Sequence, residues 1–80
     1  MSWNYRIVRR NDPLTDSGYW LGIYEAYYDD ANDGACYALT EKTVGIEGET
    51  MESLTAEYRL FAEAFEKPVL DYETRQEVSE

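Results

Sequence analysis

The stretch Tyr19-Trp20-Leu21-Gly22-Ile23-Tyr24-Glu25-Ala26-Tyr27-Tyr28-Asp29-Asp30 is the longest strand-like run in the chain, and it carries large apolar rings on both faces. At period two, one face holds Tyr19, Leu21, Ile23, Glu25 and Tyr27. The other holds Trp20, Gly22, Tyr24, Ala26 and Tyr28. With 80 residues the chain forms one domain, and folding buries only roughly 60–65% of its unfolded surface. One helix can cover one of these faces. The second is expected to face a partner or water.

Around this strand the remaining elements fall into place. Trp3, Tyr5 and Ile7 alternate with Asn4 and Arg6, which reads as a first strand over residues 3–10. Asn11-Asp12-Pro13 breaks it, and the stretch through Gly18 is a loop rich in turn formers. The two strands are expected to pair antiparallel. Asn32, Asp33 and Gly34 tolerate positive φ and suit a hairpin into a third strand over residues 36–40, extended irregularly toward Ile46.

Thr50 then suits a helix N-cap, with Glu49 and Glu52 at the positive end of the helix dipole. Met51, Leu54, Tyr58, Phe61 and Phe65 follow at spacings of three and four, an apolar stripe that reads as core. Arg59–Glu63 and Glu63–Lys67 are candidate ion pairs one turn apart, and Pro68 stops the helix. The expected fold is α+β: a three-stranded antiparallel sheet with one C-terminal helix on one face, β-β-β-α, over residues 1–70. Val69-Leu70 are expected to fold back onto the sheet edge or the helix end, and residues 71–80 to be a polar, frayed tail. The helix is assigned to the Leu21/Ile23 face, because Trp3, Tyr5 and Ile7 can join it there.

Charge narrows the function classes. The net charge is −10. The first ten residues hold Arg6, Arg9 and Arg10 and no acid, whereas the rest hold seventeen acids against four bases. Such a field repels nucleic acid and anionic membrane and draws in basic protein surfaces. The same acids also serve plain solubility. The three arginines are too few against that background for a nucleic-acid footprint, and are expected to pair with the chain's own acids or with an acidic patch of a partner. Cys36 is the lone cysteine, which excludes an internal disulfide and fits a reducing cytoplasm. No segment has the ~20 apolar residues a membrane span needs.

Catalytic chemistry finds little to use. The chain has no histidine, the usual neutral base and metal ligand. Cys36 has no local base and reads as strand filler. An EF-hand beginning at Asp29 puts Gly34 at position 6, but Ala31 at position 3 cannot coordinate and position 12 is Thr40 rather than the bidentate glutamate. No catalytic residue, metal site or cofactor is expected. Binding remains: Trp20, Tyr24 and Tyr28 share a face, next to Glu25 and the hairpin acids Asp29, Asp30 and Asp33. Rings with nearby acids are what interfaces favour. The uncovered sheet face also suits a homodimer.

Two resemblances follow from particular segments. Gly48-Glu49-Thr50-Met51-Glu52-Ser53-Leu54, entering a helix after three strands, resembles the helix opening of HicB-like antitoxins. That implies neutralisation of a small RNase toxin, without operator binding, since the family's C-terminal DNA-binding domain has no counterpart. Trp3-Asn4-Tyr5-Arg6-Ile7-Val8-Arg9-Arg10, Glu25-Ala26-Tyr27-Tyr28-Asp29 and Glu66-Lys67-Pro68-Val69-Leu70-Asp71 resemble segments of small acidic anti-CRISPR proteins of phages and mobile elements. This second resemblance implies a non-enzymatic plug over the basic DNA-binding surface of a type I CRISPR effector complex.

Overall fold

The structure, a computed structural model, describes residues 2–29 and 34–78. Its elements are β1 (Ser2–Asn11), β2 (Tyr19–Asp29), β3 (Ala35–Leu39), α1 (Met51–Ala64) and β4 (Leu70–Asp71). The fold is α+β as expected, with one more strand. The sheet order is β3-β2-β1-β4, and β4 runs parallel to β1 while the other pairs are antiparallel. A two-residue strand carries no periodicity, but Leu70 does fold back onto the sheet edge, as expected of Val69-Leu70, by pairing with Val8. The expected hairpin acids Asp30 and Asp33 lie outside the described residues. Gly34, at φ 69°, closes the near side by donating to the Asp29 carbonyl at 3.0 Å.

Register follows from the β1–β2 pairing, in which Ile7 faces Ile23 and Val8 faces Gly22. Directly opposite residues share a face. Arg6, Val8, Tyr24, Ala26 and Tyr28 therefore lie on one side, and Trp3, Tyr5, Ile7, Leu21, Ile23, Glu25 and Tyr27 on the other. The first side is the core: Val8, Tyr24, Ala26 and Leu70 are buried together, with Tyr28, Cys36, Leu39 and Tyr72 against them. Leu70 comes from one sheet edge and Leu39 from the other. Tyr72 meets Tyr24 across β1 at 5.5 Å between ring centroids, so the sheet curls over this face.

The segment after the helix completes the closure, and the expected frayed tail is corrected for residues 71–78. They fold back as a hairpin, with Val78 donating to the Val69 carbonyl at 2.8 Å and Asp71 to that of Gln76 at 2.9 Å. The Asp71 carboxylate accepts from the Glu73 and Thr74 N–H groups and from Arg9. Burial pushes its pKa up, but these donors outweigh it and hold the carboxyl below its usual value. Turn chemistry inside the polar segment, not its polarity, decided the outcome.

Helix α1 lies on the Leu21/Ile23 side, as assigned. Thr50 caps it, accepting from Ser53 N–H at 3.1 Å while the Ser53 hydroxyl accepts from Thr50 N–H at 3.1 Å. Gly48 lies against the first turn, where a Cβ would come within 2.6 Å of the Leu54 nitrogen. The apolar stripe is corrected. Ala64 is fully buried, Leu54 and Phe61 are half-buried, yet Tyr58 is 60% and Phe65 68% exposed, and Met51 is exposed too. The helix is rotated so that Glu57 and Ala64 turn inward beside Phe61, because Tyr5 holds both Glu57 and Phe61. The pairs Arg59–Glu63 and Glu63–Lys67 do not reach ion-pair distance among the described residues. Replacing Phe61 by Ala should cost about 2 kcal/mol of unfolding free energy, and Phe65→Ala less than about 0.5. Urea denaturation reads the difference, and equal losses would return the helix to its unrotated stripe.

Candidate functional site

The proposed docking residues divide between the two sheet faces. Tyr24 is 4% exposed and belongs to the core. Tyr28 is half-buried, and its hydroxyl donates to Asn4 Oδ1 at 2.7 Å and accepts from Arg6 at 3.0 Å. Of the three rings only Trp20, at 62%, is open to solvent, in a shallow depression with Arg10, Asn11 and Asp12. Glu25 and Asp29 point to the opposite face with Tyr27. The expectation that the ring-bearing face is uncovered is thus corrected: the C-terminal hairpin and the curl of the sheet close it. Odd and even numbering had already separated Glu25 and Asp29 from Trp20, Tyr24 and Tyr28.

On the helix side the acids gather. A groove of about 360 Å³ is lined by Tyr5 and Glu25 of the sheet, Glu57 of α1, and Val44, Gly45 and Glu47 of the connecting loop. Three carboxylates from three parts of the chain converge there, and no cation lines the groove. The loop is placed by continuing the β2 edge, where Thr40 donates to the Glu25 carbonyl and Val44 to that of Ile23, each at 3.0 Å. Glu47 and Glu57 gave no sign in the sequence, since seventeen acids leave none conspicuous.

Tyr5 anchors this groove. Its hydroxyl donates to Glu57 Oε2 at 2.7 Å, and its ring meets Phe61 at 4.5 Å and Trp3 at 5.2 Å between centroids. Burial, the Glu57 hydrogen bond and the nearby charges of Glu57 and Glu25 push its pKa from 10.0 to about 12. Burial and the neighbouring Glu25 carboxylate also raise Tyr27. Both shifts mark a patch that holds anions and disfavours another.

The arginines of the first strand are engaged within the fold. Arg6 is 7% exposed, donating to the Pro68 carbonyl at 2.6 Å and lying 3.9 Å from Glu77. Arg9 pairs with Asp71 at 3.3 Å. Arg10 donates to the Glu41 carbonyl at 2.8 Å and stacks 4.0 Å from the Tyr72 ring centroid. Pairing with the chain's own acids therefore holds for Arg6 and Arg9, with partners from the C-terminal hairpin. Among the described residues no cluster of acids, cysteine or histidine has metal-binding geometry, and no helix is long and apolar enough to cross a membrane. No protein-family model, curated protein or solved structure matches this chain.

The Tyr5 shift has a measurable consequence. Below pH 10 folded and unfolded chains both keep the phenol protonated. Between about 10 and 12 the unfolded chain loses the proton that the folded one holds, so stability falls with rising pH. Tyr5→Phe should flatten that fall, read by urea denaturation at pH 9, 10.5 and 11.5. An unchanged slope would place the shift elsewhere.

Proposed function

We propose that this protein is a non-enzymatic inhibitor whose acidic helix-side face occupies a basic, nucleic-acid-binding surface of another protein. The observation that carries this reading is the convergence of Glu25, Glu47 and Glu57 around Tyr5 with no cation among them. A Lys or Arg side chain of a partner is the natural complement, and Trp3 and Tyr27 border the acids with ring surface. The fold sharpens this field. Arg6 and Arg9 are tied to Glu77 and Asp71, and Arg10 to a carbonyl and a ring, so the first strand presents no basic stripe of its own. Carboxylates spread over such a face act as phosphate mimics and raise association rates by steering.

The resemblance to small acidic anti-CRISPR proteins suggests the partner class, the DNA-binding surface of a type I CRISPR effector complex. Asp29, at the end of the same strand face, extends the acid row toward the hairpin.

The test adds the protein to a purified type I effector complex before its target duplex and follows DNA binding by gel shift. Loss of the shifted band is expected, relieved by raising salt from 50 to 500 mM. Glu25→Lys with Glu47→Lys should slow association about tenfold. Undiminished DNA binding at equimolar protein would rule out this partner. Salt-insensitive inhibition that survives the reversals would rule out the acidic face.

A further inference from the structure

The loop between β1 and β2 presents an apolar residue to water from a rigid frame. Leu14 is 93% exposed. Its own N–H donates to Asp12 Oδ1 at 3.0 Å, and the one Thr15 hydroxyl proton is shared between the Asp12 carbonyl at 3.0 Å and that of Tyr19 at 2.9 Å. Asp12 N–H closes the loop base on the Gly18 carbonyl at 2.9 Å. These hydrogen bonds hold a bare leucine in place beside Asp16, which is itself exposed. A loop this ordered spends little entropy when its tip is buried by a partner.

At the base of the same loop, on the helix side of the sheet, lies a groove of about 590 Å³. Its walls are Tyr19, Leu21, Pro68 and Val78, and its lining carries Arg9 and Lys67 but no carboxylate. Leu21 is exposed, and Lys67 forms no ion pair among the described residues. In a chain of net charge −10, this groove is the reverse of the acidic one. It combines apolar walls with the ammonium of Lys67 and with Arg9, whose charge Asp71 already pairs, so that Lys67 is the complement of a leucine flanked by Asp12 and Asp16.

We propose that a second copy of this chain docks here, each copy seating its Leu14 loop in the other's Arg9–Lys67 groove. The occupant follows from charge and placement together. Loop and groove adjoin at one end of the β1–β2 hairpin, so a two-fold axis between them satisfies both contacts at once, as an isologous dimer requires. Asp16 then meets Lys67 and Leu14 meets Leu21 across the axis. The acidic groove at Glu25, Glu47 and Glu57 lies toward the opposite end of β2 and stays open, so the dimer displays two of them. The contact is small, so the dimer is a weak one that forms at high protein concentration.

Sedimentation velocity on the protein alone, from 10 μM to 1 mM, tests the dimer without reference to any inhibitory partner. Wild type should dimerise, and Leu14→Asp and Lys67→Glu should each weaken it about tenfold or more. Leu14 is exposed and Lys67 half-buried, and urea denaturation of each variant checks that the fold is kept. Asp16→Lys combined with Lys67→Glu should restore self-association. A wild-type monomer at 1 mM, a dimer indifferent to Leu14→Asp, or a double variant no tighter than Lys67→Glu would each overturn the proposal.

Discussion

The guanidinium of Arg6 binds the folded chain together from inside. From the middle of β1 it reaches Tyr28 on β2, the Pro68 carbonyl just after the helix, and Glu77 in the C-terminal hairpin. A buried cation is costly unless its donors are used, and here Nε alone has no partner among the described residues. The requirement to satisfy it draws the post-helix segment over the Val8 face. Leu70 and Tyr72 follow and complete a core that the first three strands leave half open.

Closing that face reshapes both surfaces of the molecule. With the C-terminal segment over Val8, Tyr24 and Ala26, the helix is left to the other side, where it packs on β1 through Tyr5 and Phe61. Fourteen residues cannot cover all of it. Leu21 and Tyr19 remain open at one end, and Glu25 meets Glu47 and Glu57 at the other. One surface thus carries an apolar groove with cations and an acidic groove with rings. Their separation along β2 lets the two proposed contacts coexist.

Much of the architecture was legible in the residues. The strands at Ser2–Asn11 and Tyr19–Asp29, the loop between them, the Thr50 cap and the stop before Pro68 are written in alternation, turn chemistry and capping. The candidate site was legible only in part. Glu25 and Asp29 lie on the face opposite the rings with which they were grouped, and Tyr24 and Tyr28 are drawn inward by Leu70 and Arg6, groups more than forty and twenty residues away from Tyr24 and Tyr28 respectively. Glu47 and Glu57 become part of a site only when the loop and helix are folded beside Tyr5.

The sequence by itself determined which residues travel together: period two fixes the two faces of each strand, and period 3.6 fixes the neighbours on the helix. It also determined the net charge of −10 and the lack of histidine. Only the tertiary structure decided which side of each element was buried. Both faces of β2 are apolar enough to be core, so local patterning leaves the choice nearly balanced. Contacts distant in sequence tip it: Arg6 with Pro68 and Glu77 closes one face, and Tyr5 with Glu57 and Phe61 turns the helix on the other.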